Sequence, residues 1–557
     1  MPGVTRVAQR AGASTAPTRP TAADAPPSRW WAVALALVPA ATHLACILTA
    51  GRRWQFDLYE DDAYYYLGVA RSLAEGDGST FTGLVPTNGY HPLWTLVLVP
   101  LAAILRDPNA LVIGVAVLQG ALWALAVREA LRIGRLLGCW PLAAGALCAY
   151  AVLAVLTGHL AFNGMESALL LPLLLLVLRL GLEAGDRPGD DLRIGVVLAL
   201  VCLARLDAVV AAAPLALVVL LRSPEGDPPP QIAFLRPQIP VSGTQCRRRV
   251  VALAGPPAVA LATYIAVNLA VFDTALPVSG RAKGLGAPFT NLEPVRQLLQ
   301  AGDFAGRPLW FGSAVLVLVA VAWASGAWRR DARLGRVMAY ALALLVGECL
   351  LLAYLVVGTS YRVWPWYHYQ VAVLAFCAAL VALRAALDRY GPVVVRLCLV
   401  GAGLFLVVQA GVAFRPEGRA YPGSVRGAEW VDESLPEDAV LAMGDRAGIF
   451  GFLARRPLLH LEGLMADADH LRAMEDGTAA ERLAGEGVDY YVRYGPPGVE
   501  VEVDGRPCRR FDEPLQGDGP KVPIVVCDED RVFATGPDGD QLEIWAFRPE
   551  LQGAGAR

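Results

Sequence analysis

Charge is what this sequence has least of. Only 18% of its 557 residues are Asp, Glu, Lys or Arg, against 55% hydrophobic, and the mean hydropathy is +0.45. A soluble multidomain protein needs more charge than this to cover its water-facing surface, so the composition is that of a polytopic membrane protein. There is no basic excess either. A net charge of −3 gives no field to hold a phosphate backbone, and no nucleic-acid partner is expected. Histidine is sparse, with six in the chain. No CxxC or His/Cys cluster stands at metal-ligand spacing, so no cofactor is expected, with a divalent metal left open. GxGxxG and GxxxxGK[ST] are both missing, which excludes the usual nucleotide loops.

What is there divides the chain in two. Runs of Leu, Ala and Val fill it to about residue 414, and the remainder is an ordinary soluble mixture. Residues 1–29, rich in Pro, Ala, Thr and Arg, read as a disordered cytoplasmic tail. Apolar runs near 30–50, 108–127, 137–157, 165–182, 194–206, 208–222, 250–272, 308–328, 336–357, 365–387 and 391–414 predict about eleven transmembrane helices within a domain spanning 30–414. An uncleaved first helix is preferred to a signal peptide, because its apolar run is too long and the cleavage pattern poor. Pro92 to Leu105 is apolar but short and carries Pro92 and Pro100. It reads as a re-entrant or interfacial helix inside a first outer loop, 51–107.

That reading sets the orientation. With the short segment not spanning, Arg128/Arg132/Arg135, Arg187/Arg193, Arg222 with Arg247 to Arg249, Arg329/Arg330/Arg333/Arg336 and Arg384/Arg389 all fall on the cytoplasmic side. The N-terminus is then cytoplasmic in a multi-pass inner (plasma) membrane protein, and residues 415–557 form an extracytoplasmic soluble α/β domain. Strands are expected at 439–443 and 489–492, with a glycine-containing turn into a helix over 444–451. Seven of the ten cysteines lie in apolar runs, and Cys246 lies in a basic loop. Cys508 and Cys527 share the polar domain and can pair if it lies outside the cytoplasm; the sequence leaves this open.

The outer loops collect the polar residues of the membrane half. Asp57, Glu60, Asp61 and Asp62 crowd together after the first span. Their mutual repulsion raises a carboxylate pKa and suits it to general-base work, although a solvated acidic loop or a helix N-terminus has the same composition. Tyr64 to Ala74 has an amphipathic helical pattern ended by Gly76 and Gly78. Asp61-Asp62-Ala63-Tyr64-Tyr65-Tyr66, Ala70-Arg71, Gly76-Asp77-Gly78 and Thr87-Asn88-Gly89-Tyr90-His91-Pro92-Leu93-Trp94 resemble the bacterial GT-C-fold membrane glycosyltransferases. Their nearest likeness is to the polyprenyl-phosphate-dependent mannosyl-, aminoarabinosyl- and arabinofuranosyltransferases. Asn163 to Ser167, Ala204 to Asp207, Pro277 to Lys283 and Ala447 to Phe452 fit the same family.

The resemblance implies an inverting hexosyl- or pentosyltransferase with a polyprenyl-phosphate-linked sugar as donor. Its acceptor would be a hydroxyl of a cell-envelope glycan, lipid or protein, and membrane lipids would surround the site. Asp61 matches the family's first acidic position and is the expected base, with Asp62 second. An acceptor hydroxyl must lose its proton as it attacks, so a carboxylate in reach is required. Leaving phosphate calls for cations, and the candidates are Arg205, Arg281, Lys283, Arg362, His368 and His91. Arg205 and Asp207 can instead pair with each other, and His91 can instead cap the turn at Pro92. Tyr65, Asn88, Trp94, Glu166, Asp207, Trp366 and Tyr367 are expected to line the substrate, although interfacial anchoring also accounts for Trp366 and Tyr367. The chain lacks the Trp-Trp-Asp signature of oligosaccharyltransferases, which weighs against a peptide acceptor and a dolichyl-diphosphate donor. A lipid-linked-sugar flippase would show internal hydropathy repeats, and none is seen. A non-catalytic envelope scaffold would not need acids and cations on one face.

Overall fold

The computed structural model describes residues 29–49, 56, 59–139, 162–185, 188–221, 243–300, 303–304, 307–308, 311–361, 364–391, 393–394, 397, 400–401, 422–514, 519–536 and 541–552. Residues 1–28, Asp57, Arg362 and most of the expected spans at 137–157 and 391–414 lie outside these.

The membrane half is helical. Pro108–Leu136, Gly243–Phe272, Ala332–Gly358 and Trp366–Tyr390 are each long and apolar enough to cross a membrane, and Leu37–Thr49, Pro92–Ile104, Leu206–Leu220 and Gly312–Ala324 are shorter apolar helices. The expected apolar runs at 165–182 and 194–206 appear as helices Ser167–Glu183 and Pro188–Ala204. Arg205 and Asp207 set a boundary. Arg205 is extended (φ −152°), and a 3-10 turn over Leu206–Ala208 restarts the chain as helix Val209–Leu220.

The short segment is a helix, Pro92–Ile104, of 13 residues. Proline at its first turn removes one N–H that would otherwise lack a partner in the helix. At 1.5 Å per residue it reaches about 20 Å, short of the roughly 30 Å hydrocarbon layer. It packs on a loop helix, Asp61–Glu75, which is buried from Ala63 to Ser72. Gly76 closes that helix at φ 93° and donates its N–H to Ser72 O at 3.1 Å. The loop helix is buried nearly all round because a second element covers it: helix Ala447–Ala454 of the C-terminal part.

The C-terminal part carries a five-stranded sheet. Its strands are β1 (Leu441–Met443), β2 (Leu458–His460), β3 (Tyr490–Tyr494), β7 (Arg531–Ala534) and β8 (Leu542–Ala546). They run in the order β2-β1-β3-β8-β7. β1 pairs in parallel with β2 (Leu441 opposite Leu458) and with β3 (Leu441 opposite Tyr490), so the carboxyl ends of these three strands share one edge. A separate antiparallel sheet joins β4 (Val499–Val503), β5 (Arg506–Glu513) and β6 (Val522–Cys527). In it Cys508 lies directly opposite Cys527, and the two form a disulfide.

Candidate active site

Asp61 and Asp62 are neighbours in the first turn of the loop helix, about 100° apart around its axis, and they have different surroundings. Asp61 turns to the C-terminal part. Its Oδ2 accepts the Gly448 N–H at 2.9 Å and its Oδ1 the Ile449 N–H at 2.8 Å. Those N–H groups open helix Ala447–Ala454, where unpaired donors and the helix dipole favour a carboxylate. Burial nevertheless pushes the Asp61 carboxyl up to about 7, the two N–H bonds opposing that rise and Asp62 and Asp445 adding to it.

Asp62 makes no hydrogen bond or ion pair among the described residues. Burial pushes it up to about 6. Lys283 pulls it down, and Glu60, Glu166 and Asp445 push it up.

The cations form a chain of contacts away from Asp62. Lys283 ends the short helix Val278–Gly284 and its Nζ donates to the Tyr367 hydroxyl at 2.5 Å. Arg205 lies over the same Tyr367 ring at 4.5 Å and over Tyr369 at 5.3 Å. Its guanidinium donates to Glu166 Oε1 at 2.7 Å and to both Asp207 oxygens at 2.9 and 3.0 Å. Pairing with Asp207 therefore does occur, and Glu166 is the second partner. His91 completes the group: its Nδ1 accepts the Leu206 N–H at 3.3 Å and its Nε2 lies 4.0 Å from Glu166. Burial holds His91 below its ordinary pKa, and its Nδ1, which accepts an N–H, carries no proton.

Other expected site residues have other tasks. Asn88 accepts the Val278 N–H at 2.9 Å and donates to Asn268 at 3.2 Å, tying the first loop to the helix that carries Lys283. Trp94 is buried and donates to Gly164 O at 3.1 Å. The Tyr65 hydroxyl meets His460 Nε2 at 2.9 Å, inside the seam with the C-terminal part. His368 bonds Glu348 at 2.6 Å within the helical bundle. Trp366 stacks on Trp364 with ring centroids 5.5 Å apart. The Arg281 side chain is half-buried and has no hydrogen-bond partner among the described residues, and Arg362 lies outside them.

A second acidic group escaped the sequence reading. Asp445 follows β1, Glu462 follows β2 and Glu513 ends β5. Burial, with Asp445, Glu513, Asp62 and Asp61 adding to it, pushes the Glu462 carboxyl well above the usual carboxylate range. Glu513 accepts from the Tyr491 hydroxyl at 2.8 Å and from Arg493 at 2.9 Å. The available signal was His460-Leu461-Glu462-Gly463, a titratable pair and a glycine directly after a short apolar strand.

No protein-family model matches the chain, and no curated protein matches it. Among solved structures it is similar to ArnT from Cupriavidus metallidurans in the apo state, at 13% identity over 84% of this chain and 92% of that one, with a TM-score of 0.48. It is also similar to the Archaeoglobus fulgidus oligosaccharyltransferase AglB, solved with an inhibitory peptide and a dolichol-phosphate. There the identity is 12% over 84% of this chain and 69% of that one, with a TM-score of 0.45.

Proposed function

We propose that the chain is an inverting membrane glycosyltransferase that moves a sugar from a polyprenyl-phosphate donor to an acceptor hydroxyl on the extracytoplasmic side, with Asp62 as the general base. The observation that carries this is the opposition of Asp62, a half-buried carboxylate whose side chain has no hydrogen-bond partner among the described residues, to the Lys283–Tyr367–Arg205 stack. Asp61, named first by the sequence resemblance, has both oxygens occupied by backbone N–H groups. It serves in this reading to hold the first loop against the C-terminal domain.

In the step itself, the acceptor oxygen attacks the anomeric carbon while its proton passes to Asp62. The bond from that carbon to the phosphate oxygen breaks, and the electron pair leaves with the lipid phosphate. Lys283, aided by the Tyr367 hydroxyl and by Arg281 on the same short helix, meets the charge that gathers on the phosphate. Arg205, held by Glu166 and Asp207, sets the position of Tyr367 and hence of Lys283. The arginine-bearing loops and the Cys508–Cys527 bond support an extracytoplasmic C-terminal domain.

The experiment is transfer from labelled polyprenyl-phosphate sugars by the full chain reconstituted in vesicles. Asp62→Asn is expected to abolish transfer and Lys283→Met to cut it strongly, with both proteins folded. Full activity in a folded Asp62→Asn variant overturns the base assignment, and full activity in Asp61→Asn as well removes the first loop from the chemistry.

A further inference from the structure

Glu348 is the only charged residue of helix Ala332–Gly358 beyond Arg336. It stands ten residues before the helix ends, about 15 Å along the axis, and its side chain is 2% exposed. An acid inside a helix of membrane-crossing length is costly, and one is kept where it has a task. Its Oε1 meets His368 Nδ1 at 2.6 Å. Glu348 Oε2 and His368 Nε2 have no hydrogen-bond partner, so among the described residues this bond joins the two side chains to each other and to nothing else.

Stability does not account for the pair. A buried carboxylate and imidazole give up hydration that one hydrogen bond only partly returns, and apolar residues of similar volume often hold such a place as well or better. Packing is already close at this level. A Cβ on Gly347, the residue before Glu348, would stand 2.3 Å from Gln370 Oε1 and 2.9 Å from Val210 O. Helices Tyr369–Tyr390 and Val209–Leu220 therefore both close on Ala332–Gly358 beside the pair.

What the bond holds is the turn Pro365–His368, which opens helix Tyr369–Tyr390. Tyr367 and Tyr369 flank His368 in sequence, and the Arg205 guanidinium lies over their rings at 4.5 and 5.3 Å. The Tyr367 hydroxyl takes the Lys283 ammonium at 2.5 Å. Arg205 meets these rings by their faces, a contact that tolerates sliding in the ring plane. The Glu348–His368 bond instead fixes the backbone from which the rings extend. A tyrosine has only two side-chain torsions, so a fixed backbone leaves its hydroxyl few places to go. Lys283, on a flexible four-carbon stem, follows that hydroxyl.

We propose that Glu348 and His368 are positioning residues for glycosyl transfer: their bond fixes the turn, the turn fixes the Tyr367 hydroxyl, and the hydroxyl aims Lys283 at the leaving phosphate. The catalytic consequence rests on the glycosyl-transfer reading above. The placing of Lys283 can be measured without any transfer.

The chain has only two lysines, Lys283 and Lys521. Brief acetylation of the detergent-solubilised full chain with acetic anhydride, read by peptide mass spectrometry, therefore reports Lys283 against the exposed Lys521. Tyr367→Phe and the paired replacement Glu348→Met with His368→Leu are each expected to raise that ratio about fivefold to tenfold. The Tm of the paired variant is expected not to fall. His368→Asn, whose amide nitrogen takes the same δ position as the ring Nδ1, is expected to keep the wild-type ratio. In transfer, the paired variant is expected to lose about tenfold in kcat/KM, and less than about twofold when Lys283 is already Met, because it acts through that residue.

An unchanged ratio in Tyr367→Phe or in the paired variant, a lowered Tm of the paired variant, or a His368→Asn protein that labels like it overturns the assignment. So does a loss in transfer that simply multiplies that of Lys283→Met. Transfer that needs Asp62 but ignores the pair also overturns it, and leaves the enzyme standing. Absence of transfer in wild type, with the Lys283 ratio still dependent on the pair, supports the positioning and removes the enzymatic reading.

Discussion

The Asp61 carboxylate accepts the backbone N–H of Gly448 at 2.9 Å across 387 residues of sequence. That one bond gives two adjacent acids different surroundings, and the proposed division of roles between them rests on it.

Asp61→Asn presents an amide NH2 to one of two N–H donors, so an unpaired buried donor results. The expected cost is about 1–3 kcal/mol, seen as a lower Tm and faster proteolysis of the C-terminal part, with transfer impaired in proportion. Asp62→Asn leaves Tm unchanged and lowers the rate by about 10²–10⁴-fold. Thermal melts and single-turnover assays on the two variants check the split, and identical profiles for both would refute it.

The pH profile follows from the same geometry. Asp62 sits at about 6 and a base must be ionised, so kcat/KM is expected to fall as pH drops below about 6 and to level above it. Lys283 holds that carboxyl down. Lys283→Met therefore moves the acid limb upward as well as slowing the reaction. A limb unmoved in that variant assigns the titration to another group.

Close backbone approach fixes the seam at two glycines. A Cβ on Gly448 would stand 2.2 Å from Asp61 O, and one on Gly89 would stand 1.9 Å from Leu464 O. Neither contact can be relieved by rotating a side chain. Gly448→Ala and Gly89→Ala are expected to cost about 1–3 kcal/mol each, by melting in detergent. Gly120→Ala, whose nearest neighbour is Ala40 at 3.8 Å in a helix interior, serves as the control and is neutral or stabilising.

The Cys508–Cys527 bond closes a short loop between β5 and β6. Cys508→Ser with Cys527→Ser is expected to destabilise the C-terminal domain by about 2–4 kcal/mol. Maleimide labelling of these two positions in intact membranes should appear only after reduction. Labelling without reductant would place the domain in a reducing compartment.

Much of the helical half could be read from the chain because apolar length and proline position are local properties. Pro92 and the glycines after Ala74 mark the ends of two helices where the structure has them. The break at Arg205 was visible too, since two charges interrupt an apolar run. Its meaning was not: the partner Glu166 lies 39 residues away, and no local pattern pairs them. Asp61 and Asp62 look alike in sequence and differ only through Gly448 and Lys283, which the fold brings in from distant segments. Tyr65, Asn88 and Trp94 carry polar atoms in a loop that resembles a substrate wall, yet each spends those atoms on a structural tie. Glu462 was missed because a single acid after a three-residue strand resembles any surface turn; its burial comes from the membrane half closing over it.

The dependence of the first loop on Ala447–Ala454 also bears on biogenesis. Ribosomal synthesis delivers the loop early and its covering helix near the end, so Tyr65, Val69 and Phe81, which finish in one apolar cluster with Phe450 and Leu441, must wait uncovered while the intervening helices insert. A truncated product ending at the last apolar run would keep that surface bare, open to any chaperone within reach.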